Sequence, residues 1–185
     1  MGEGTSNDGY RIRQTLLTSQ AIQDRISALG QQISQDYAGQ ELVLVGVLKG
    51  SLYFMADLSR AIDLLLTLDF MTIGTIPNTT NQTGIVRITK DLDIDITGKQ
   101  VLLIEDIIRT GLTTAYLVQN LKARQAASVK VCSLLVNPDQ QLINVPLAYS
   151  GFEIAQTWLI GYGMDIAEKG RNLPYIAEID RNGRT

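Results

Sequence analysis

A chain of 185 residues, 45% of them hydrophobic and 19% charged, has the size and make-up of one globular domain with a single core, not of a disordered or fibrous protein. Its net charge of −3 comes without a basic cluster, which excludes broad electrostatic binding of nucleic acid or of an anionic membrane. Histidine is absent, which removes Ser-His-Asp and Cys-His catalysis and every histidine-containing metal site, leaving acid, base and metal chemistry to Asp, Glu, Lys or Tyr.

The polar start, Met1 to Asp8, has neither the basic flank nor the apolar core of a signal peptide. A tail over residues 1–12 and a single domain over 13–185 are expected. From Ser19 the apolar residues Ile22, Ile26, Leu29, Ile33 and Tyr37 recur at helical spacing, and Gly39 follows as a stop. Glu41–Leu48 is a near-continuous apolar run, the mark of a strand buried on both faces. After Lys49-Gly50, Ser51 is placed to cap a helix carrying Leu52, Met55, Leu58 and Ile62, and a strand follows over Leu64–Ile73. Gly74–Gly84 is polar and rich in turn formers, which predicts a long exposed loop of the kind that often acts as a lid.

Short extended pieces are expected at Ile85–Ile88 and Leu92–Ile96, then a strand at Gln100–Ile104, a helix at Thr113–Ala126, and strands at Val129–Val136, Trp158–Ile160 and Tyr175–Ile179. Strands alternating with helices imply an α/β fold, a parallel twisted sheet flanked by helices, with ligands at the C-terminal strand ends. The N-terminal helix and the region after Pro138 are expected to form a small cap over that edge. The longest apolar runs, Val101–Ile104 and Leu64–Leu66, fall far short of the roughly 20 residues of a membrane span. A soluble, cytoplasmic protein is expected. The single cysteine, Cys132, lies in an apolar run and reads as a core thiol.

The stretch that carries chemistry is Val101-Leu-Leu-Ile-Glu105-Asp106-Ile107-Ile-Arg109-Thr110-Gly111-Leu112-Thr113-Thr114. A buried strand runs into two adjacent acids and then a loop with one glycine and hydroxyl residues, before a helix. Such a loop aims N–H groups and hydroxyls at one point beside a helix N-terminus, which suits a phosphate, while the acids can hold sugar hydroxyls. By spacing alone, an ordinary strand-to-helix turn with exposed acids explains the stretch equally well.

This segment closely resembles the phosphoribosyl-pyrophosphate motif of type I phosphoribosyltransferases, specifically the hypoxanthine-guanine branch. The resemblance extends in order through Leu44–Ser51, Leu68–Met71, Gly151–Ile154, Gly161–Asp165 and Arg171–Tyr175, and covers the chain from about Arg13 to Ile179. It implies the type I fold with a hood built from the N- and C-terminal segments. Glu105 and Asp106 would bind the ribose hydroxyls, and Arg109, Thr110, Gly111, Leu112 and Thr113 would wrap the 5′-phosphate. Lys49-Gly50, in a loop that often holds a cis peptide, and Arg171 would face pyrophosphate. Ile107 would line the acceptor pocket, Trp158 would stack on the base, Leu159 would offer backbone groups to its edge, and Asp165 would hold magnesium beside it. Mg²⁺, also held by Glu105 and Asp106, is the implied cofactor. The implied partners are phosphoribosyl pyrophosphate, a small heteroaromatic acceptor, and further copies of the chain in a homodimer or homotetramer formed near Leu52–Met55.

Three positions depart from the branch. Arg109 stands where the family has an aspartate that handles the proton on the purine ring nitrogen, Asn137 where it has a lysine that donates to the 6-oxo group, and Thr75-Ile76 where it has a Ser-Tyr pair that closes over pyrophosphate. The catalytic set the resemblance implies is Arg109, Glu105 and Asp106. The expected function is Mg²⁺-dependent phosphoribosyl transfer to a purine or purine-like acceptor with an altered preference. The alternative is a catalytically impaired homologue that binds phosphoribosyl pyrophosphate or nucleotide in a regulatory or partnering role.

Overall fold

The computed structural model describes residues 10–76 and 85–181. Its centre is β2 (Leu42–Leu48), whose residues 42–47 are all buried, as the continuous apolar run requires of a strand covered on both faces. β2 pairs in parallel with β3 (Leu66–Ile76) and β5 (Gln100–Ile108); β6 (Ser128–Val136) and β7 (Leu147–Glu153) extend the sheet, and β4 (Ile85–Lys90) runs antiparallel beside β3. The strand order is β4-β3-β2-β5-β6-β7. The expected parallel sheet holds for every strand but β4.

Helices cover both faces. α1 (Ser19–Asp36) and α2 (Leu52–Ala61) pack Ile22, Ile26, Phe54 and Leu58 against Leu44, Leu102 and Ile104. α3 (Leu112–Lys122) packs Leu117 and Leu121 against Val45, Val101 and Leu103 on the other side. The alternation along β5 is the two-residue period of a strand. It decides where the two acids that follow will point.

A second, antiparallel sheet in the order β1-β9-β8 is built from β1 (Tyr10–Leu17), β9 (Ile176–Arg181) and β8 (Leu159–Ile160), around Ile160, Ala177 and Ile179. The two chain ends thus make the expected hood, but its N-terminal part is β1. The N-terminal helix is not in it, because its apolar stripe is covered by α2 and the main sheet. Tyr10 to Ile12 pair with Arg181 to Ile179, so residues 10–12 of the expected tail are strand.

Three further expectations differ from the structure, and one strand was not anticipated. Thr75 and Ile76 lie on β3, paired with Val86 and Ile85, and not in a loop; residues 77–84 of the expected lid lie outside the described residues. Leu92–Ile96 is not a strand, because the buried Asp69 carboxylate accepts the N–H groups of Asp93 and Ile94 at 2.8 and 3.2 Å and holds the segment as a turn. Ser51 does not cap α2 with its side chain; its hydroxyl donates to the Val47 carbonyl at 2.8 Å. β7 escapes the sequence because it is an edge strand with one buried residue, and so shows no apolar run.

Candidate active site

The sequence reading ends the central strand at Ile104, but β5 continues to Ile108, which makes Glu105 and Asp106 strand residues with opposite outlooks. Glu105 follows Val101 and Leu103 toward α3, where Thr114 Oγ1 donates to its Oε1 at 3.2 Å. Asp106 follows Leu102 and Ile104 to the other face, against the turn at Lys49-Gly50, so closely that a Cβ on Gly50 would lie 1.9 Å from its Oδ2. Burial and the charge of Asp106 push Glu105 up to about 8, with Thr114 pulling weakly the other way. Burial also holds Asp106 above the carboxylate range, opposed by the N–H of Ile107 and the charges of Arg171 and Arg109. Burial is what disfavours the charged form of this pair.

Beyond β5 the chain enters the loop that leads into α3. Gly111 sits at φ 78°, in the left-handed region, and a Cβ there would meet the Ile143 carbonyl oxygen at 2.6 Å. Only glycine satisfies both conditions. The Thr110 carbonyl accepts the N–H groups of Leu142 and Ile143 at 3.0 and 3.2 Å, which braces the loop from behind. The loop and the strand end bound a cleft of about 390 Å³ lined by Gly50, Glu105, Asp106, Ile107, Arg109, Thr110, Gly111 and Thr113 among others. The first turn of α3 leaves N–H groups without helical partners at this point, which favours an anion.

The remaining cations sit on a neighbouring turn. The Leu48–Lys49 peptide is cis. Lys49 Nζ lies 2.8 Å from Glu168 Oε2, and Arg171 binds the same oxygen at 3.3 Å, Asp165 Oδ1 at 2.7 Å and the Gly163 carbonyl at 2.8 Å. The expected metal set of Glu105, Asp106 and Asp165 is not gathered: among the described residues no three Asp, Glu, His or Cys side chains could hold a metal ion together. Asp165 is separated from the pair because Arg171 and the Glu168 N–H, at 2.8 Å, engage its two oxygens.

Of the expected acceptor residues, Ile107 lines the cleft. Asn137 is buried at the end of β6: its N–H donates to the Ile108 carbonyl at 2.8 Å, its amide nitrogen reaches the Ala155 carbonyl at 3.4 Å, and its Oδ1 has no partner. Trp158 is half-exposed in a shallow depression shared with Ala155 and Glu178, while Leu159 is buried in the hood. Sequence reasoning missed Thr114, whose hydroxyl holds Glu105, and Glu168, which joins Lys49 to Arg171. The run of hydroxyl residues after Gly111 could have flagged Thr114. Nothing in the linear pattern marks Glu168, because its partners are brought to it by the fold.

The profile of the family described as "Phosphoribosyl transferase domain" matches residues 13–167. Hypoxanthine-guanine phosphoribosyltransferase of Mycobacterium tuberculosis is 44% identical over 175 residues, covering 91% of this chain and 87% of the relative. The enzyme of that name from Bacillus subtilis is 41% identical over 90% of this chain and 93% of its own. The crystal structure of a hypoxanthine phosphoribosyltransferase from Staphylococcus aureus superposes with a TM-score of 0.86 at 40% identity, covering 91% of this chain and 92% of that one.

Proposed function

We propose a reaction and its residue roles from one premise: this chain belongs to the hypoxanthine-guanine phosphoribosyltransferase family and is an enzyme of that family, not a binding-only homologue. The reaction is transfer of ribose 5-phosphate from phosphoribosyl pyrophosphate to a purine or purine-like acceptor. The observation that carries the reading is one cleft that combines a carboxylate pair, a braced loop at a helix N-terminus and the Gly50 turn.

In this reading the 5′-phosphate lies on Thr110–Thr113, and Glu105 and Asp106 accept from the ribose hydroxyls. Lys49, Gly50 and Arg171 hold the pyrophosphate. The bond between C1′ and the pyrophosphate oxygen breaks as a ring nitrogen of the acceptor bonds to C1′; pyrophosphate leaves with the bonding electron pair, and the proton lost from that nitrogen passes to pyrophosphate or solvent, since Arg109 is no base. Trp158 stacks on the acceptor and Leu159 meets its edge through the backbone.

Mg²⁺ fits the donor set, since the pair offers hard carboxyl oxygens at the cleft, where burial disfavours their charge until a cation arrives. Glu105 and Asp106 line the cleft from opposite faces of β5, so they would meet the ion through substrate oxygens and not as a chelating pair, and Asp165 would reach it only after giving up Arg171. When bound, it neutralises the charge of the departing pyrophosphate.

Arg109 lines the cleft next to the pair, and among the described residues it makes no hydrogen bond or ion pair. A guanidinium binds anionic groups bidentately, so the acceptor preference shifts toward bases that carry one. Pyrophosphate release from phosphoribosyl pyrophosphate and Mg²⁺, measured over a panel of nucleobases and heteroaromatic acids, tests this. No release with any acceptor would overturn the reaction, and a plain preference for hypoxanthine would overturn the shift.

Assembly as a homodimer or homotetramer and a cytoplasmic location belong to the same proposal. Of the segment Leu52–Met55, Leu52 and Tyr53 are exposed, whereas Phe54 and Met55 belong to the core, so the first two are the residues available to a second copy. Light scattering that finds only monomer at micromolar concentration would count against assembly. Among the described residues no helix is long and apolar enough to cross a membrane.

A further inference from the structure

The two cations assigned to pyrophosphate are joined by a carboxylate that no motif marks. Glu168 Oε2 lies 2.8 Å from Lys49 Nζ and 3.3 Å from an Arg171 terminal nitrogen. One oxygen bridges two positive groups that come from opposite ends of the chain. The attraction runs both ways, since the Lys49 and Arg171 hydrogen bonds hold the Glu168 carboxyl below its ordinary range.

The backbone that presents Glu168 is unusual. Ile166 and Lys169 exchange N–H to carbonyl bonds at 3.1 and 3.0 Å around the two-residue turn Ala167-Glu168, and both central residues have positive φ, 50° and 66°. That is the signature of a mirror-image hairpin turn, which is normally filled by Gly, Asn or Asp. Ala and Glu pay a conformational cost there. A buried role does not explain it, because the Glu168 side chain is 65% exposed. What the turn accomplishes is to aim a carboxylate at Lys49 and Arg171. The same turn seats the Glu168 N–H on Asp165 Oδ2.

We propose that Glu168 is an internal stand-in for pyrophosphate: its carboxylate occupies the anion position between Lys49 and Arg171, and pyrophosphate or its phosphoribosyl ester binds by displacing it. The assignment rests on the reading that these two cations face pyrophosphate. Its consequence is a ceiling on the affinity for both substrate and product. An anion leaving the site does not leave Lys49 unpaired, because Glu168 returns to it and to Arg171, which Asp165 also holds at 2.7 Å, and this speeds release of pyrophosphate. Because Lys49 and Glu168 are largely exposed and Arg171 is partly so, the competition is modest and screened by salt.

The test is calorimetric binding of inorganic pyrophosphate with Mg²⁺, with steady-state kinetics in phosphoribosyl pyrophosphate, on the full chain. Glu168→Gln removes the charge and keeps the shape, and should tighten pyrophosphate about three- to tenfold, the scale of two exposed ion pairs. It should lower KM for phosphoribosyl pyrophosphate by a similar factor, without raising kcat. The gain should shrink as ionic strength rises. Ala167→Gly, which eases the turn and retains the carboxylate, serves as the control and should leave pyrophosphate affinity within twofold of wild type. Unchanged or weakened pyrophosphate binding in Glu168→Gln would overturn the proposal, since weakening would mean that Glu168 positions the cations productively. Lys49→Ala and Arg171→Ala separate the two levels. If both lose pyrophosphate while Glu168→Gln gains nothing, only the role of Glu168 fails; if neither loses it, the pyrophosphate assignment itself fails.

Discussion

Asp106 can face the cleft only because residue 50 has no side chain: a Cβ on Gly50 would stand 1.9 Å from Asp106 Oδ2 and 2.5 Å from its Cγ. The turn that follows β2 and the acid at the end of β5 are thereby fitted to each other. Gly50→Ala must move one or the other by an ångström or more. Displacements of that size cost about 10²-fold when they misplace reacting groups. We expect a loss of that order in kcat/KM for phosphoribosyl pyrophosphate with little change in far-UV circular dichroism. Wild-type kinetics in Gly50→Ala would show that the contact is not needed.

Glu105, raised to about 8 from an ordinary 4.5, makes proton uptake part of binding and of stability. Between those two values the folded state holds more protons than the unfolded one, so this group makes stability fall as pH rises through the window. Asp106, also raised, contributes in the same direction. Glu105→Gln should flatten the decline in urea midpoint between about pH 5 and pH 8. A Mg²⁺–substrate complex favours the charged carboxylates, so binding near pH 7.5 should release protons. Calorimetry in two buffers of different ionisation enthalpy reads this directly, and identical heats in both would refute it.

The loop and the pair should act together on the sugar phosphate. Asp106→Ala with Thr113→Ala is expected to reduce binding of phosphoribosyl pyrophosphate, and of a nucleoside 5′-monophosphate, by at least about tenfold per residue, given roughly 1.5–3 kcal/mol for hydrogen bonds to charged groups. Unaltered titrations would mean that the ligand lies elsewhere.

Positions 109 and 137 are neighbours across β5 and β6, because the Asn137 N–H is bonded to the Ile108 carbonyl and Ile108 is paired with Val136. Where the family resemblance implies an aspartate and a lysine, this chain carries Arg109 and Asn137. Loss of a general base costs about 10²- to 10⁴-fold, so wild-type turnover of hypoxanthine and guanine should be weak. Arg109→Asp with Asn137→Lys should raise it. Asn137→Lys alone should lower Tm, because position 137 is buried and an ammonium there must give up its hydration. The double variant restores the opposite charge beside it, and Ile76→Tyr completes the set. Efficient wild-type use of hypoxanthine would mark Arg109 as a tolerated change.

The central strands, the three helices and the loop after β5 were legible in the linear sequence because each has a local cause: a continuous apolar run, a helical stripe, or a glycine among hydroxyls beside a helix start. Elements with no such cause were not legible. β1 and β7 are edge strands recruited by partners distant in sequence, Ile176–Arg181 for one and Val131–Val136 for the other. The segment after β4 is shaped by Asp69, more than twenty positions earlier. The same division runs through the site. The linear order, together with the family resemblance, pointed to Glu105, Asp106 and Thr110–Thr113, which one strand-loop-helix unit carries. Tertiary structure decided that the two acids face opposite sides of the sheet, that Asp165 is tied to Arg171, and that Glu168 bridges Lys49 and Arg171. Those are relations between charges brought together by folding, and their strength depends on distance and burial, which spacing along a chain does not contain.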